Sequence, residues 1–171
     1  MIRSGLVLSL FLLATAPASA QRGEAYAPKD GRFTVRFPGK PKETTQTAKS
    51  TIGELAVATA TYATTDGNVY MVSYTDFPTR AAKPENSGSL FDGVRNGLKG
   101  KDGKLLDEKE IKVGPDKLPG RDIEIEKDKK RMKFRVALHN GRLYQVAVIG
   151  TAAFVKNKDA TAFLESFEIT P

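Results

Sequence analysis

Between Asp122 and Leu138 apolar and charged side chains alternate in two runs separated by a short polar break, and this period of two describes a pair of half-buried strands. Ile123 and Ile125 alternate with Asp122, Glu124 and Glu126, while Met132, Phe134, Val136 and Leu138 alternate with Lys133 and Arg135. A two-residue turn at Asp128-Lys129 sets the register. It puts Glu124 opposite Lys133, Asp122 opposite Arg135, Ile125 opposite Met132 and Ile123 opposite Phe134. One face of this hairpin is then apolar and the other charge-paired, each cross-strand pair contributing about 0.2–1 kcal/mol. Register and solubility account for the pattern without any ligand. The same stretch is the most basic in the chain: Lys127, Lys129, Lys130, Arg131, Lys133 and Arg135 against Asp128 give +5 in nine residues, so these six are the candidate contacts to a polyanion.

Elsewhere the same signals recur. Phe33, Val35 and Phe37 alternate with Thr34 and Arg36 before Pro38-Gly39 and Pro41 end the run. The threonine-rich stretch 43–50 and the Ala/Val/Thr stretch 55–62, joined by Ile52-Gly53, predict a second hairpin whose register so few large residues leave open. Asp66-Gly67-Asn68 is a turn leading into Val69–Phe77, with Tyr70, Val72 and Tyr74 on one face. Leu90, Val94 and Leu98, with Phe91 beside them, have helical spacing, and Ser87 or Ser89 would cap that helix. Gly93 and Gly97 weaken it, which either close packing of the helix backbone on a sheet or a loosely held helix would explain. Leu105–Val113, a turn over 115–120 and a strand over 142–149 follow, the last joined through Asn140-Gly141. Apart from Gln145, Leu143–Ile149 is apolar on both faces, as in a central strand covered on both sides. Phe163, Leu164 and Phe167 mark the buried edge of a second helix over 159–167, with Ile169 returning to the sheet. The expected fold class is α+β, a mainly antiparallel sheet of about seven or eight strands with two packed helices.

The first twenty residues have the form of a secretory leader: Arg3, an apolar run over 6–14, and Ala18-Ser19-Ala20 as cleavage site. The apolar run is short of the roughly 20 residues a membrane span needs, so no span is expected in the mature chain, with a leader retained uncleaved as an anchor the rival reading. This reading divides the chain into signal peptide (1–20), flexible lead-in (21–30) and one α+β domain (31–171), secreted or periplasmic. Without Arg3 the net charge falls from +7 to +6, a modest bias toward anionic surfaces. Cysteine is absent, so no disulfide supports the fold and its stability comes from the core.

Chemistry has few candidates. His139, the one histidine, flanks the Asn140-Gly141 turn, and a hydrolase would have to bring it together with a serine such as Ser73, Ser87 or Ser89 and a carboxylate such as Asp76. One histidine without cysteine argues against zinc, copper or iron sites, and the carboxylates Asp107, Glu108, Glu110 and those over 122–126 lack calcium-loop spacing. Solvated strand faces explain them more simply. The stretch Gly97-Leu-Lys-Gly100-Lys-Asp-Gly103-Lys104 fails as a phosphate loop, having Leu98 where glycine and Leu105 where serine or threonine is required, and reads as a helix stop with solvated lysines. No catalytic residue, metal ligand or cofactor is assigned.

The opening Phe33-Thr-Val-Arg-Phe37-Pro38-Gly39-Lys-Pro41, the strand over 70–78 ending in Asp-Phe-Pro, Arg142-Leu-Tyr144 and the closing Phe163-Leu-Glu-Ser166-Phe167 resemble a group of small, uncharacterised bacterial secreted proteins. By order of elements that group resembles the PsbP-like fold, an antiparallel sheet between helices. The resemblance implies architecture and a role in binding other macromolecules, with no shared catalytic set to carry over. The expected function is therefore a non-catalytic binding or scaffold protein contacting another protein or an anionic envelope polymer, with no nucleic acid among its partners. A carrier that holds a small apolar ligand among Phe91, Tyr70, Tyr74 and Phe163 is the alternative, and a hydrolase using His139 a more distant one.

Overall fold

Alternating side chains and turn residues divide the chain much as expected, and the computed structural model, which describes residues 23–50, 53–78 and 86–170, assembles them into two sheets and three helices. Seven antiparallel strands form the main sheet: β3 (Lys42–Ser50), β4 (Gly53–Ala63), β5 (Val69–Asp76), β6 (Lys104–Val113), β7 (Leu118–Lys127), β8 (Lys130–His139) and β9 (Arg142–Gly150). Their spatial order is β3-β4-β5-β9-β8-β7-β6, so β9 is the middle strand. Its inward residues divide between two cores. Leu143 and Ala147 meet Ile123, Ile125, Phe134 and Phe91 on one face, while Tyr144, Val146 and Val148 meet Tyr70, Val72 and the C-terminal helices on the other.

The first face is covered by α1 (Ser87–Lys99), which lays Leu90, Phe91, Val94 and Leu98 on the hairpin of β7 and β8. The second is covered by a small sheet, β1 (Ala25–Tyr26), β2 (Phe33–Arg36) and β10 (Glu168–Ile169), with α2 (Ala152–Val155) and α3 (Lys158–Glu165). Phe33, Val35 and Phe37 of the proline-terminated run are all buried there, and Phe37 and Tyr70 flank Phe163 at ring-centroid distances of 5.0 and 5.1 Å. Caps start both C-terminal helices: the Phe154 amide donates to Thr151 Oγ1 (3.1 Å) and the Ala160 amide to Asn157 Oδ1 (2.7 Å).

Several expectations need correction. The C-terminal region holds two helices where one was expected, because Thr151 and Asn157 each end one segment and cap the next. Ile169 returns to β2 of the small sheet, its backbone pairing with Phe33. The lead-in is not featureless: Ala25–Tyr26 pairs with β2, and Tyr26 packs edge-on against Phe37 at 5.5 Å. The expected turn over 115–120 ends sooner, with Leu118 already in β7 and Gly114 and Lys117 at φ 68° and 51°. Asn86, without a side-chain hydrogen bond, stands where Ser87 or Ser89 was expected to cap α1. The signal-peptide reading lies outside the described residues.

Two arginine-centred clusters tie these layers together. Arg142 donates through Nε and Nη2 to both carboxylate oxygens of Asp76 (2.6 and 2.7 Å) and through Nη1 to the carbonyls of Asp30 and Gly31, while its guanidinium lies 4.7 Å over the Tyr74 ring. It thereby fastens the loop before β2 to the end of the main sheet. Arg121, only 8% exposed, lies over Phe91 and donates to Asp92 of α1 (2.6 Å) and Glu108 of β6 (2.9 Å). Arg95 contacts the same two carboxylates at 3.0 Å each, so α1, β6 and β7 are joined by four charges under partial cover. Glu108, expected on a solvated strand face, is instead a structural partner.

Candidate polyanion-contact surface

The charged hairpin forms in the register read from its alternation. Glu124 pairs with Lys133, Asp122 with Arg135, Ile125 with Met132 and Ile123 with Phe134. The turn is the mirror-image two-residue type, with Asp128 at φ 51° and Lys129 at φ 61°, a conformation that matches the right-handed twist of the flanking strands. Strand pairing and ion pairing part company at one position. Asp122 and Arg135 form a bidentate bridge at 2.9 and 3.0 Å, but Glu124 accepts from Arg131 Nη1 (3.3 Å) rather than from Lys133. Arg131 reaches diagonally across the strands and also donates to Glu126 at 2.8 Å.

These bonds split the six candidate residues into two sets. Arg131 and Arg135 are committed: their carboxylate acceptors, Glu126 and Asp122 foremost, hold both guanidiniums above their ordinary pKa, and Arg135 also donates to the Leu164 carbonyl of α3 at 3.2 Å. An incoming anion would have to displace those carboxylates. Lys127, Lys129, Lys130 and Lys133 have no ion-pair partner among the described residues, and Lys129 and Lys130 are exposed at the hairpin tip.

The tip does not stand alone. Helix α1 ends beside it, its last turn carrying Lys99 and its C-cap Gly100 at φ 60°. The Lys127 ammonium approaches this helix end, lying 3.2 Å from where a Cβ on Gly100 would sit, and the negative end of the helix dipole favours a cation there. After the turn, β6 begins with Lys104 opposite Glu126. The stretch dismissed as a phosphate loop thus sets Lys99, Lys101 and Lys104 at the same end of the sheet as Lys127, Lys129 and Lys130. From Lys99 to Lys104 and from Glu126 to Arg131 there are seven positive charges against three negative. Asp102 and Asp128 are exposed and bridge no lysine among the described residues. Sequence reasoning left out Lys99, Lys101 and Lys104, and the register of β6 on β7, which would have found them, is shifted by an irregularity between Leu105 and Asp107.

The other candidates do not assemble. Phe91 lies in the core under α1, whereas Tyr70, Tyr74 and Phe163 belong to the core on the opposite face of the sheet, so the four residues of the carrier reading cannot line one pocket. Tyr70 and Phe163 pack edge to face and leave no space between them. A cleft of about 480 Å³ does lie elsewhere, where β6 meets the C-terminal segment, lined by Ile111, Val113, Phe167 and Ile169 with the Asp122–Arg135 bridge. His139 Nε2 accepts from the Asn140 side-chain amide at 2.9 Å, and no serine or carboxylate hydrogen-bonds the ring among the described residues. Asp76, the nearest carboxylate in the strand pairing, is held by Arg142 instead. None of the described helices is long and apolar enough to cross a membrane.

A seven-stranded antiparallel sheet covered on one face by a helix and on the other by a small sheet and two short helices is an α+β architecture of the PsbP-like type. No family model matches the sequence, and no curated protein matches it. Among solved structures, the chain is similar to cyanobacterial PsbP (CyanoP) from Synechocystis sp. PCC 6803, with a TM-score of 0.56 over 92% of this chain and 98% of that one. The two are 11% identical, so the likeness is one of fold.

Proposed function

We propose that this chain is an exported, non-catalytic binding protein that docks an anionic macromolecule, an acidic protein or an envelope polymer, through the lysine-bearing end of its main sheet. One observation carries the reading: α1 and the hairpin of β7 and β8 converge so that six lysines from two distant stretches share one end, none of them held by a carboxylate among the described residues. Lysines spread over separate rigid elements suit a partner whose negative charge is distributed along its length, because each contact adds a modest, screened attraction. Committing the arginines to internal bridges keeps this surface in a fixed geometry while the lysines remain free.

The test is retention on heparin or phosphocellulose in rising salt. Elution above physiological salt is expected for the intact chain, with a marked fall for K127E/K129E/K130E and a similar fall for K99E/K101E/K104E. Elution of the intact chain below physiological salt, or retention of either variant equal to that of the intact chain, refutes the surface. Export is checked separately, by the N-terminal sequence of the chain recovered from outside the cytoplasm, which should start at Gln21.

A further inference from the structure

The two edges of the main sheet are built differently. Strand β6, one edge, has an irregularity between Leu105 and Asp107 and carries six charges in ten residues, the devices by which proteins keep an exposed edge from pairing. Strand β3, the other edge, pairs with β4 over nine consecutive positions without a break. It contains no proline, and Thr44-Thr-Gln-Thr-Ala48 puts five uncharged residues in a row at its centre. All residues from Lys42 to Lys49 are exposed, and only near Glu43, whose carboxylate holds the Tyr26 hydroxyl, does the small sheet approach the strand. A long edge without a bulge, uncharged at its centre, is a template for a further strand.

We infer that β3 is a self-association edge, on which a second copy of this chain adds its own β3 in antiparallel register centred on Gln46. The sequence of the strand is self-complementary about that point. A two-fold axis normal to the sheet sets residues of the same face opposite each other, and centring it on Gln46 pairs Glu43 with Lys49 of the second copy and Lys49 with its Glu43, while Thr45 meets Thr47 on both sides. Of the registers this symmetry allows, the one centred on Gln46 sets Glu43 directly opposite Lys49. Within one chain Lys49 already faces Glu54 and Glu43 faces Ala60, so the pairing gives Glu43 the cross-strand cation it lacks. Because β3 and β6 are opposite edges, such a dimer leaves both lysine-bearing ends uncovered, and the inference does not depend on the reading given to that surface.

Sedimentation equilibrium of the intact chain over a range of concentrations tests this, with far-UV circular dichroism to verify that each variant is folded. A monomer–dimer equilibrium is expected. E43K or K49E, each of which sets two like-charged pairs across the interface, should weaken it by roughly tenfold or more, and E43K/K49E, which restores both pairs with reversed sign, should recover it. The chain has no cysteine, so a single introduced thiol reports the register. Q46C lies on the axis and should oxidise to a disulfide-linked dimer, whereas T44C, set about 14 Å from its own copy, should not. A chain that stays monomeric into the millimolar range, whether or not its edge takes a foreign strand, overturns the inference. So does a double variant no tighter than the single ones, or a T44C that cross-links as readily as Q46C.

Discussion

Gly93 and Gly97 offer a direct measurement of what the packing of α1 requires. Helical spacing suggests that two glycines four residues apart let a helix backbone approach a sheet, yet a Cβ built on either meets no heavy atom within 4 Å. Both are exposed, because the buried stripe runs through Leu90, Phe91, Val94 and Leu98 and they lie off its flank. Neither has a positive φ, so alanine introduces no backbone strain. Each replacement should therefore return the helix-propensity difference, about 1 kcal/mol, chiefly by restricting the unfolded chain. With no contact of their own to share, the two effects should nearly add, to about 2 kcal/mol. For a chain of this size that is a rise in Tm of about 4–8 °C. Scanning calorimetry of G93A/G97A beside the parent chain is the assay. Gly120 is the control, since its Cβ would sit 2.7 Å from the Val136 carbonyl oxygen and 2.8 Å from Val113 Cγ2, and G120A should lose about 1–3 kcal/mol. A lowered Tm for G93A/G97A, or an unchanged one, would refute the claim that these glycines are conformational liabilities in open space.

Further outcomes follow from the charge clusters. Replacing Arg121 by methionine leaves Asp92 and Glu108 to Arg95 alone and should cost about 1–3 kcal/mol in urea unfolding, more than R95M, because Arg121 is the more deeply covered of the two cations. Equal losses would show that cover does not govern the cluster. The Arg142 and Arg121 hydrogen bonds lower the pKa of Asp76 and Asp92 respectively. Folded values below the unfolded ones mean that both carboxylates contribute stability above the ordinary carboxylate range, about pH 4, and lose it as pH falls through their folded pKa. Thermal midpoints should therefore decline below about pH 4, and D76N/D92N should flatten that decline; an acid limb of unchanged slope would refute the assignment.

How far the fold could be read in advance depended on how local the signal was. The register of β7 on β8 follows from two residues of turn and the alternation beside them, and all four expected pairs are present. The central place of β9 follows from its two apolar faces. By contrast α2 has four residues, too few to show a period, and β1 and β10 have two each, so neither helix nor strand periodicity marks them. The candidate site was half legible. A run of basic residues drew attention to the hairpin, but nothing in the run distinguishes Arg131 and Arg135, which serve the structure, from the lysines that stay unpaired.

The sequence by itself determined that this chain makes antiparallel sheet, where its tight turns lie and which hairpin carries the excess positive charge, because alternation and turn chemistry act between residues close along the chain. Tertiary structure alone decided which carboxylate each arginine takes, that Glu108 joins a helix to the sheet, and that Lys99, Lys101 and Lys104 stand beside the hairpin tip. Ion pairs and surface patches depend on side-chain reach, burial and the meeting of distant elements, and those are fixed only when α1 packs down and β6 finds its place at the edge of the sheet.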